Sequence, residues 1–322
     1  MIDTGCIKSP IFYMGNKFDL LPQILPYFPN NVETFYDLFG GSGCVSGNVI
    51  ADKIVYNELN ENIVGLYDLF LKYTCEELVT YIKDCIVKFD LNTEGTGVRQ
   101  NNSNIAEIRE HCNQNYIKFR EFYNKSDKDY RMLYTLTCYS FSNLIRFNSK
   151  EEFNMPYGDR CFCKKHEKQM KVWCDLIKNK NIITMNKNAF DILENTQFNT
   201  NDFVYLDPPY SNTMAVYNES RAHGGWSVED DFKLFGYLEK LNKQGIKWGL
   251  SNVFENKGKK NDHLIEWCEK NGWNVQHLYF SYSSLGKGNA NSDEVYICNY
   301  KSDADKAQNL VKYNLWRDLL ND

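Results

Sequence analysis

The chain has 322 residues, 43% of them hydrophobic and 25% charged, which is the composition of a soluble globular protein with ample material for a core. No apolar run approaches the ~18 residues of a membrane-spanning helix, and the N-terminus lacks the layout of a signal peptide, so a cytoplasmic protein is expected. Eleven scattered cysteines favour reduced thiols over disulfides, and the net charge of −5 argues only weakly against a nucleic-acid partner, because such partners bind local basic patches.

Short runs rich in β-branched and aromatic residues predict seven strands. They are TFYDLF (34–39), KIVYNE (53–58), NIITMN (181–186), DFVYLD (202–207), KWGLSN (247–252), NVQHLYF (274–280) and EVYICNY (294–300). Helical patterns separate most of them. Two show an apolar stripe: Ile63, Leu66, Tyr67 and Phe70 in residues 61–73, and Phe232, Phe235, Leu238 and Leu241 in residues 228–245. This alternation predicts a mostly parallel sheet covered on both faces, finished by an antiparallel hairpin of the last two strands.

The alternation stops between about residues 74 and 180, where two long helical patterns follow each other. These are AEIREHCNQNYIKFREFY (106–123) and RMLYTLTCYSFSNLI (131–145). The sequence therefore predicts a doubly wound, Rossmann-like α/β domain made of residues 1–73 and 181–322. A mostly helical module, residues 74–180, is inserted between its second and third strands.

A glycine-rich turn follows the first predicted strand in FYDLFGGSGCVSGN. Gly41 and Gly43 let the backbone turn sharply and approach a ligand, although Ser46 departs from the full dinucleotide fingerprint. The next strand ends at Glu58, at the distance where an acid binds both hydroxyls of a ribose. Together these features favour an adenosine-containing ligand. They do not separate a nicotinamide dinucleotide from S-adenosylmethionine.

The stretch VYLDPPYSN (204–212) ends a predicted strand on two consecutive prolines, which a strand interior rarely tolerates. This rigid corner offers the Asp207 carboxylate, the Pro208 carbonyl and the Tyr210 ring at a fixed spacing. Two acceptors and a stacking surface suit a planar heterocycle with an exocyclic NH₂. Held in this way, the amine lone pair becomes available to attack a sulfonium methyl, and no strong base is needed because the proton leaves a cationic amine.

Five motifs in this order resemble the Dam-like, D12-class DNA N6-adenine methyltransferases of the alpha group. They are YMGNK (13–17), DLFGGSG (37–43), NELN (57–60), RFNSKEEFNMPYG (146–158) and DPPY (207–210). The resemblance extends over residues 11–300. It implies a site-specific methyltransferase that moves a methyl group from S-adenosylmethionine to the N6 amine of an adenine flipped out of double-stranded DNA.

The resemblance also assigns residues to the cofactor and to catalysis. The expected cofactor-binding residues are Tyr13, Lys17, Asp37, Phe39, Gly40, Gly41, Ser42, Gly43, Glu58 and Asp207. Tyr13 and Lys17 match positions beside the methionine part of the cofactor, and Glu58 stands where many relatives carry aspartate. The catalytic corner comprises Asp207, Pro208, Pro209 and Tyr210, with Asp207 holding the target amine and Tyr210 stacking on the base.

The resemblance implies that residues 146–158 form a hairpin that enters the major groove of DNA. Arg146 suits guanine, Asn148 and Asn154 suit base edges or phosphates, and Pro156 belongs to the same motif. Relatives usually carry glycine where this chain has Glu151 or Glu152, so the target sequence stays open, with a GAT-containing site as the working guess. The expected phosphate contacts are Lys164, Lys165, Lys259 and Lys260. Residues 211–226 are expected to order over the flipped base.

Several alternatives accompany this prediction. A zinc site at Cys161, Cys163, His166 and Cys174 is disfavoured, because their spacing matches no common ligand pattern, and no metal is expected. A methyltransferase for another amine, a nicotinamide oxidoreductase and a non-enzymatic DNA-binding relative each leave part of the pattern unexplained. The expected partners are double-stranded DNA and S-adenosylmethionine, with a restriction endonuclease of the same system as a further candidate. The expected state is a monomer. Restriction–modification, phage self-protection and regulation all fit as the biological role.

Overall fold

A computed structural model of the chain describes residues 5–13, 15–93, 103–211, 225–278 and 292–302. Its strands are β1 (Thr34–Asp37), β2 (Lys53–Asn57), β3 (Ile182–Met185), β4 (Phe203–Leu206), β5 (Lys247–Asn256), β6 (Lys259–Lys260), β7 (Asn274–Leu278) and β8 (Ser292–Cys298). Seven of them form one sheet in the order β3-β2-β1-β4-β5-β8-β7, and the two-residue β6 pairs with β5 beside this path. The seven predicted strands are all present. Among the described residues, the sequence patterns missed only β6, because two lysines carry no strand signal.

The strand directions confirm the predicted fold class. β3, β2, β1, β4 and β5 pair in parallel, whereas β8 runs antiparallel to both β5 and β7. β1 and β4 are neighbours in the sheet. β2 lies on the far side of β1 and β5 lies on the far side of β4, so the direction in which successive strands are added reverses between β1 and β4. Loops at the carboxyl ends of these two strands therefore form a crevice, the usual ligand site of an open α/β sheet.

Helices cover the sheet and build most of the inserted region. They are α1 (Leu21–Ile24), α2 (Cys44–Asn48), α3 (Glu61–Lys72), α4 (Cys75–Phe89), α5 (Ser103–Lys125), α6 (Tyr130–Tyr139), α7 (Lys164–Ile177), α8 (Ala189–Asn195), α9 (Val228–Lys243) and α10 (Asp262–Asn271). Side chains cap several of them, as where Thr74 and Glu77 form a capping box at the start of α4. Within the described residues, no helix combines the length and apolar character needed to cross a membrane.

Two sequence-based details of the helices are wrong. The predicted stripe of α3 is buried, but in α9 Phe232 is 56% exposed, and Leu234 takes its place in the core. The helix predicted over residues 131–145 ends at Tyr139, because the chain turns extended at Ser140 and takes left-handed conformations at Ser142 and Asn143. A short 3₁₀ turn, Phe141–Asn143, then leads toward residues 146–158.

The region 74–180 contributes helices and no strand of the sheet among its described residues. It contains two isolated antiparallel bridges, Ser140 with Tyr157 and Phe147 with Phe153. Its helices α4–α7 share one hydrophobic cluster with α3, which follows β2 directly. The predicted boundaries therefore cut through a common core, and a separate target-recognition domain stays a prediction.

Candidate active site at the switch point of the sheet

The glycine turn after β1 is packed tightly against aromatic side chains. A Cβ atom on Gly40 would lie 2.2 Å from the Tyr56 ring, so only glycine fits without a shift. The Tyr56 hydroxyl donates to the Gly41 carbonyl at 2.7 Å. Gly41 and Gly43 have φ of 50° and 73°, conformations that glycine adopts without strain. The turn is thus held rigidly with its backbone at the crevice.

Glu58, the first residue after β2, lies directly beside this turn. Its Oε2 accepts the Gly41 N–H at 3.0 Å and its Oε1 accepts the Asn60 N–H at 2.9 Å. The carboxylate is buried, and both of its oxygens are oriented by backbone donors. The structure therefore brings together the two features from which the sequence favoured an adenosine-containing ligand.

Asp37, the last residue of β1, is 1% exposed. Ser46 donates to its Oδ2 at 2.6 Å, while its Oδ1 has no hydrogen-bond partner among the described residues. Burial raises the pKa of Asp37 to about 7, and the neighbouring charges of Asp207 and Glu58 act in the same direction, against the Ser46 hydrogen bond. A buried oxygen without a partner is costly unless a ligand supplies a donor.

Asp207 stands at the carboxyl end of β4 with two donors on a single oxygen. Lys17 Nζ lies 2.8 Å from its Oδ1, and the Tyr210 hydroxyl donates to the same atom at 3.1 Å. The Lys17 ammonium also lies 5.1 Å from the centroid of the Tyr210 ring. Burial raises the pKa of Asp207, and the charge of Lys17 opposes that effect. The corner is thus a largely buried acceptor, 15% exposed, with a cation and an aromatic ring against it.

Glu294, near the start of β8, joins this corner and was missed by the sequence reasoning. Its Oε2 lies 3.4 Å from the Tyr210 hydroxyl, and burial raises the pKa of its carboxyl. A lone glutamate at the start of a strand carries no functional signal by spacing. It reaches the corner only because β8 is inserted beside β5 in the sheet.

The remaining predicted cofactor residues lie around the same crevice. Tyr13 covers the glycine turn, since a Cβ atom on Gly41 would lie 3.1 Å from its ring. Ser42 is buried within the turn. Phe39 packs edge-on against Trp226, with ring centroids 5.6 Å apart. The edge of the sheet thus collects a glycine turn, two buried acids (Asp37 and Glu58), two partly buried acids (Asp207 and Glu294), one lysine and two tyrosines.

Residues 146–158 form the hairpin that the sequence predicted. The Asn154 N–H donates to the Arg146 carbonyl at 3.1 Å, and the Asn148 N–H donates to the Glu152 carbonyl at 2.9 Å. Glu151 occupies a left-handed conformation with φ of 58°, a region that glycine adopts without strain.

Both asparagines of the hairpin make bonds within it. The Asn148 side chain accepts from the backbone of the turn, and Asn154 Oδ1 accepts from Arg146 Nε at 2.7 Å. The side chains of Arg146 and Pro156 are exposed. Any direct contact of the Asn148 or Asn154 side chain with DNA would therefore compete with these hydrogen bonds.

The four lysines predicted to contact phosphates are exposed. Lys164 and Lys165 open α7, and Lys259 and Lys260 form β6. The residues considered above as zinc ligands take part in the fold instead. Cys163 and His166 cap the start of α7, and Cys174 is buried in the core. No group of three or more potential metal ligands occurs in the described ranges. Most of the segment predicted to cover the flipped base, residues 212–224, lies outside the described residues.

Comparison with known proteins identifies relatives along most of the chain. A family model described as "D12 class N6 adenine-specific DNA methyltransferase" matches residues 13–281. The chain is 36% identical to the type II methyltransferase M.FokI of Planomicrobium okeanokoites over 91% of its own length, and 33% identical to the modification methylase StsI of Streptococcus sanguinis over 92%. It spans only 43% of the length of each of these two relatives.

A shorter relative matches along nearly its whole length. The chain is 24% identical to the DNA adenine methylase of Escherichia coli K12, covering 88% of this chain and 92% of that protein. Among solved structures, the rRNA methyltransferase aviRa of Streptomyces viridochromogenes aligns over 92% of this chain and 90% of its own, with a TM-score of 0.34 and 8% identity. A likeness this slight informs neither the site nor its substrate.

Proposed function

The chain belongs to the D12 class of N6 adenine-specific DNA methyltransferases. From that premise we propose that it transfers the methyl group of S-adenosylmethionine to the N6 amine of adenine at specific sites in double-stranded DNA. The observation that carries this proposal is the meeting of the glycine turn and Glu58 with the Asp207–Tyr210 corner at one switch point. Family membership favours S-adenosylmethionine over a nicotinamide dinucleotide, which the turn and Glu58 alone left open.

The residues of the crevice fit a cationic adenosine derivative. S-adenosylmethionine carries a sulfonium and an ammonium group. The crevice presents buried Asp37, whose Oδ1 has no partner within the described part of the chain, together with Asp207 and Glu294. We assign the ammonium end to Asp37 and the ribose hydroxyls to Glu58, with the Gly40–Gly43 backbone along the cofactor. The bound cofactor supplies the electrophilic methyl group.

The corner then binds and orients the target amine. Asp207 accepts one amine N–H in place of the donors it now holds, and the Pro208 carbonyl accepts the other. Both bonds orient the nitrogen lone pair, and Tyr210 stacks on the base. The corner is only partly exposed, and the low local polarity there strengthens each hydrogen bond. After transfer the nitrogen is cationic and acidic, so Asp207 suffices to receive its proton.

Access to the amine requires the adenine to leave the duplex, at a cost of a few kcal/mol. We propose that contacts elsewhere supply this free energy. Arg146, on the hairpin of residues 146–158, reads a base, and the exposed lysines of α7 and β6 bind phosphates. Because the two most similar relatives named above are a type II methyltransferase and a modification methylase, we also propose a restriction–modification role with a cognate endonuclease, for a cytoplasmic monomer.

Direct sequencing of modified bases tests the proposal. DNA from a methylation-deficient host that expresses the protein is expected to carry N6-methyladenine at one short motif, and DNA from a host expressing Asp207→Ala is expected to lack it. N4-methylcytosine at the motif, or no modified base with folded protein present, would contradict the proposed reaction.

A further inference from the structure

A buried carboxylate outside the catalytic corner binds three donors from different parts of the chain. Asp231, in the first turns of α9, is 1% exposed. Its Oδ2 accepts from Ser211 Oγ at 2.5 Å and lies 2.8 Å from His263 Nε2, and its Oδ1 accepts from Trp226 Nε1 at 2.8 Å. We name these four residues the Asp231 cluster. Both carboxylate oxygens are used, so the cluster is satisfied and rigid.

Helix capping does not explain why a carboxylate is buried at Asp231. The start of α9 is already capped by a reciprocal pair, in which Ser227 Oγ accepts from the Asp230 N–H at 3.2 Å and Asp230 Oδ2 accepts from the Ser227 N–H at 2.9 Å. Asp230 is the neighbour of Asp231 but does not take part in the cluster. Stability is also a weak explanation, because a buried ionic network replaced as a whole by well-packed apolar residues often leaves stability unchanged.

The position of the donors in the chain indicates a different role. Ser211 follows Tyr210 directly, so its bond to Asp231 fixes the backbone as it leaves the catalytic corner. Trp226 packs edge-on against Phe39, which immediately precedes the glycine turn, and stacks on Phe190 with centroids 5.7 Å apart. One carboxylate therefore connects the corner after β4 with the turn after β1.

We propose that Asp231 is a positioning residue for methyl transfer, which rests on the function proposed above. By binding Ser211 and Trp226 together, it holds the Tyr210 ring and the Pro208 carbonyl in register with the Phe39–Gly41 turn. Asp231 itself touches neither the base nor the cofactor. Transfer requires the amine, the methyl carbon and the sulfur in line, so a displacement of the corner by a fraction of an ångström lowers the rate without abolishing binding.

Burst kinetics with unmethylated genomic DNA and tritium-labelled S-adenosylmethionine tests this role. The burst amplitude counts competent sites, whereas the burst rate reports their geometry. We expect Asp231→Asn, which has the same shape but turns an acceptor into a donor, to lower the burst rate about 10- to 100-fold with its amplitude and cofactor affinity retained. The matched control Asp230→Asn loses the capping carboxylate and is expected to unfold at lower temperature with a burst rate within about twofold of the parent.

A second pair of variants removes one donor with little risk to folding. Ser211→Ala is expected to slow the burst, and Ser211→Thr, which keeps the hydroxyl, to restore it. A lower amplitude at an unchanged rate in Asp231→Asn would mean that the cluster only stabilises the fold, and a normal rate in Ser211→Ala would equally overturn the proposal. If the parent protein transfers no tritium label to any unmethylated DNA, the proposed function fails first, and the positioning role fails with it.

Discussion

Asp207 is the residue on which the proposed chemistry depends most directly. Asp207→Ala removes the acceptor for the target amine, and we expect methyl transfer to fall by about a thousandfold or more. Asp207→Asn keeps an acceptor oxygen beside Lys17, 2.8 Å away, and is expected to retain a trace of activity. Single-turnover rates, normalised to folded protein by circular dichroism, measure both. Transfer at the parental rate by Asp207→Ala would exclude this mechanism.

Asp37 predicts a dependence of stability on pH. Its pKa rises from 3.8 to about 7, mainly through burial, so between these values the folded protein holds a proton that the unfolded chain has released. The stability that Asp37 contributes to the folded state by holding this proton is fully present below about pH 4. It is lost as pH rises through about 7. Asp37→Asn, which stays neutral, is therefore expected to exceed the parent in stability at pH 8 by roughly 2–4 kcal/mol, measured by urea unfolding.

Ser46 acts on the pKa of Asp37 in the opposite direction to burial, so a Ser46 variant serves as the control. Its hydroxyl donates to Asp37 and lowers the pKa of that carboxyl, so Ser46→Ala is expected to shift the loss of stability to higher pH. A cationic cofactor favours the ionised carboxylate, and its binding is expected to release a proton and to strengthen from pH 6 to 8. Calorimetry in buffers of different ionisation enthalpy detects that proton. The assignment of Asp37 to the ammonium group would be wrong if none were released.

At the scale of elements, the hairpin of residues 146–158 carries a strained turn. Glu151 has φ of 58°, in the left-handed region, and its contact with Lys128 is an exposed ion pair of small value. Glu151→Gly relieves the strain and is expected to raise stability by about 0.5–1 kcal/mol in thermal unfolding. Glu151→Gln removes only the charge and is expected to leave stability unchanged. Equal stability of the two variants would show that the turn is not strained.

At the scale of the whole molecule, the proposed DNA contacts divide into two kinds. Arg146→Ala is expected to relax specificity at one base by ~1–3 kcal/mol. The double variant Lys259→Ala with Lys260→Ala is expected to weaken binding to all sequences alike and to lower its salt slope by about one unit per lost contact. Binding titrations at several salt concentrations, with mapping of methylated sites, separate the two effects.

The structure also supplies a control for Arg146, because its guanidinium bonds to Asn154 within the hairpin. Asn154→Ala loosens the hairpin but keeps the guanidinium. It is expected to preserve the base preference that Arg146→Ala loses. A changed methylation motif in the lysine variant, or an unchanged one in Arg146→Ala, would contradict this division between specificity and phosphate binding.

The strands, the glycine turn and the DPPY corner were readable from the sequence, because each depends on local propensity and backbone geometry. Strand order, by contrast, is set by pairings between distant segments. It places β1 beside β4, and β8 beside β5, and so brings Glu294 to Tyr210 and Lys17 to Asp207. The end of α6 at Tyr139, the exposure of Phe232 and the three donors on Asp231 were likewise decided by packing. The sequence thus determined which chemical groups the protein carries. The tertiary structure decided which of them meet, since burial and hydrogen bonding between residues far apart in the chain leave no periodic or spacing signal.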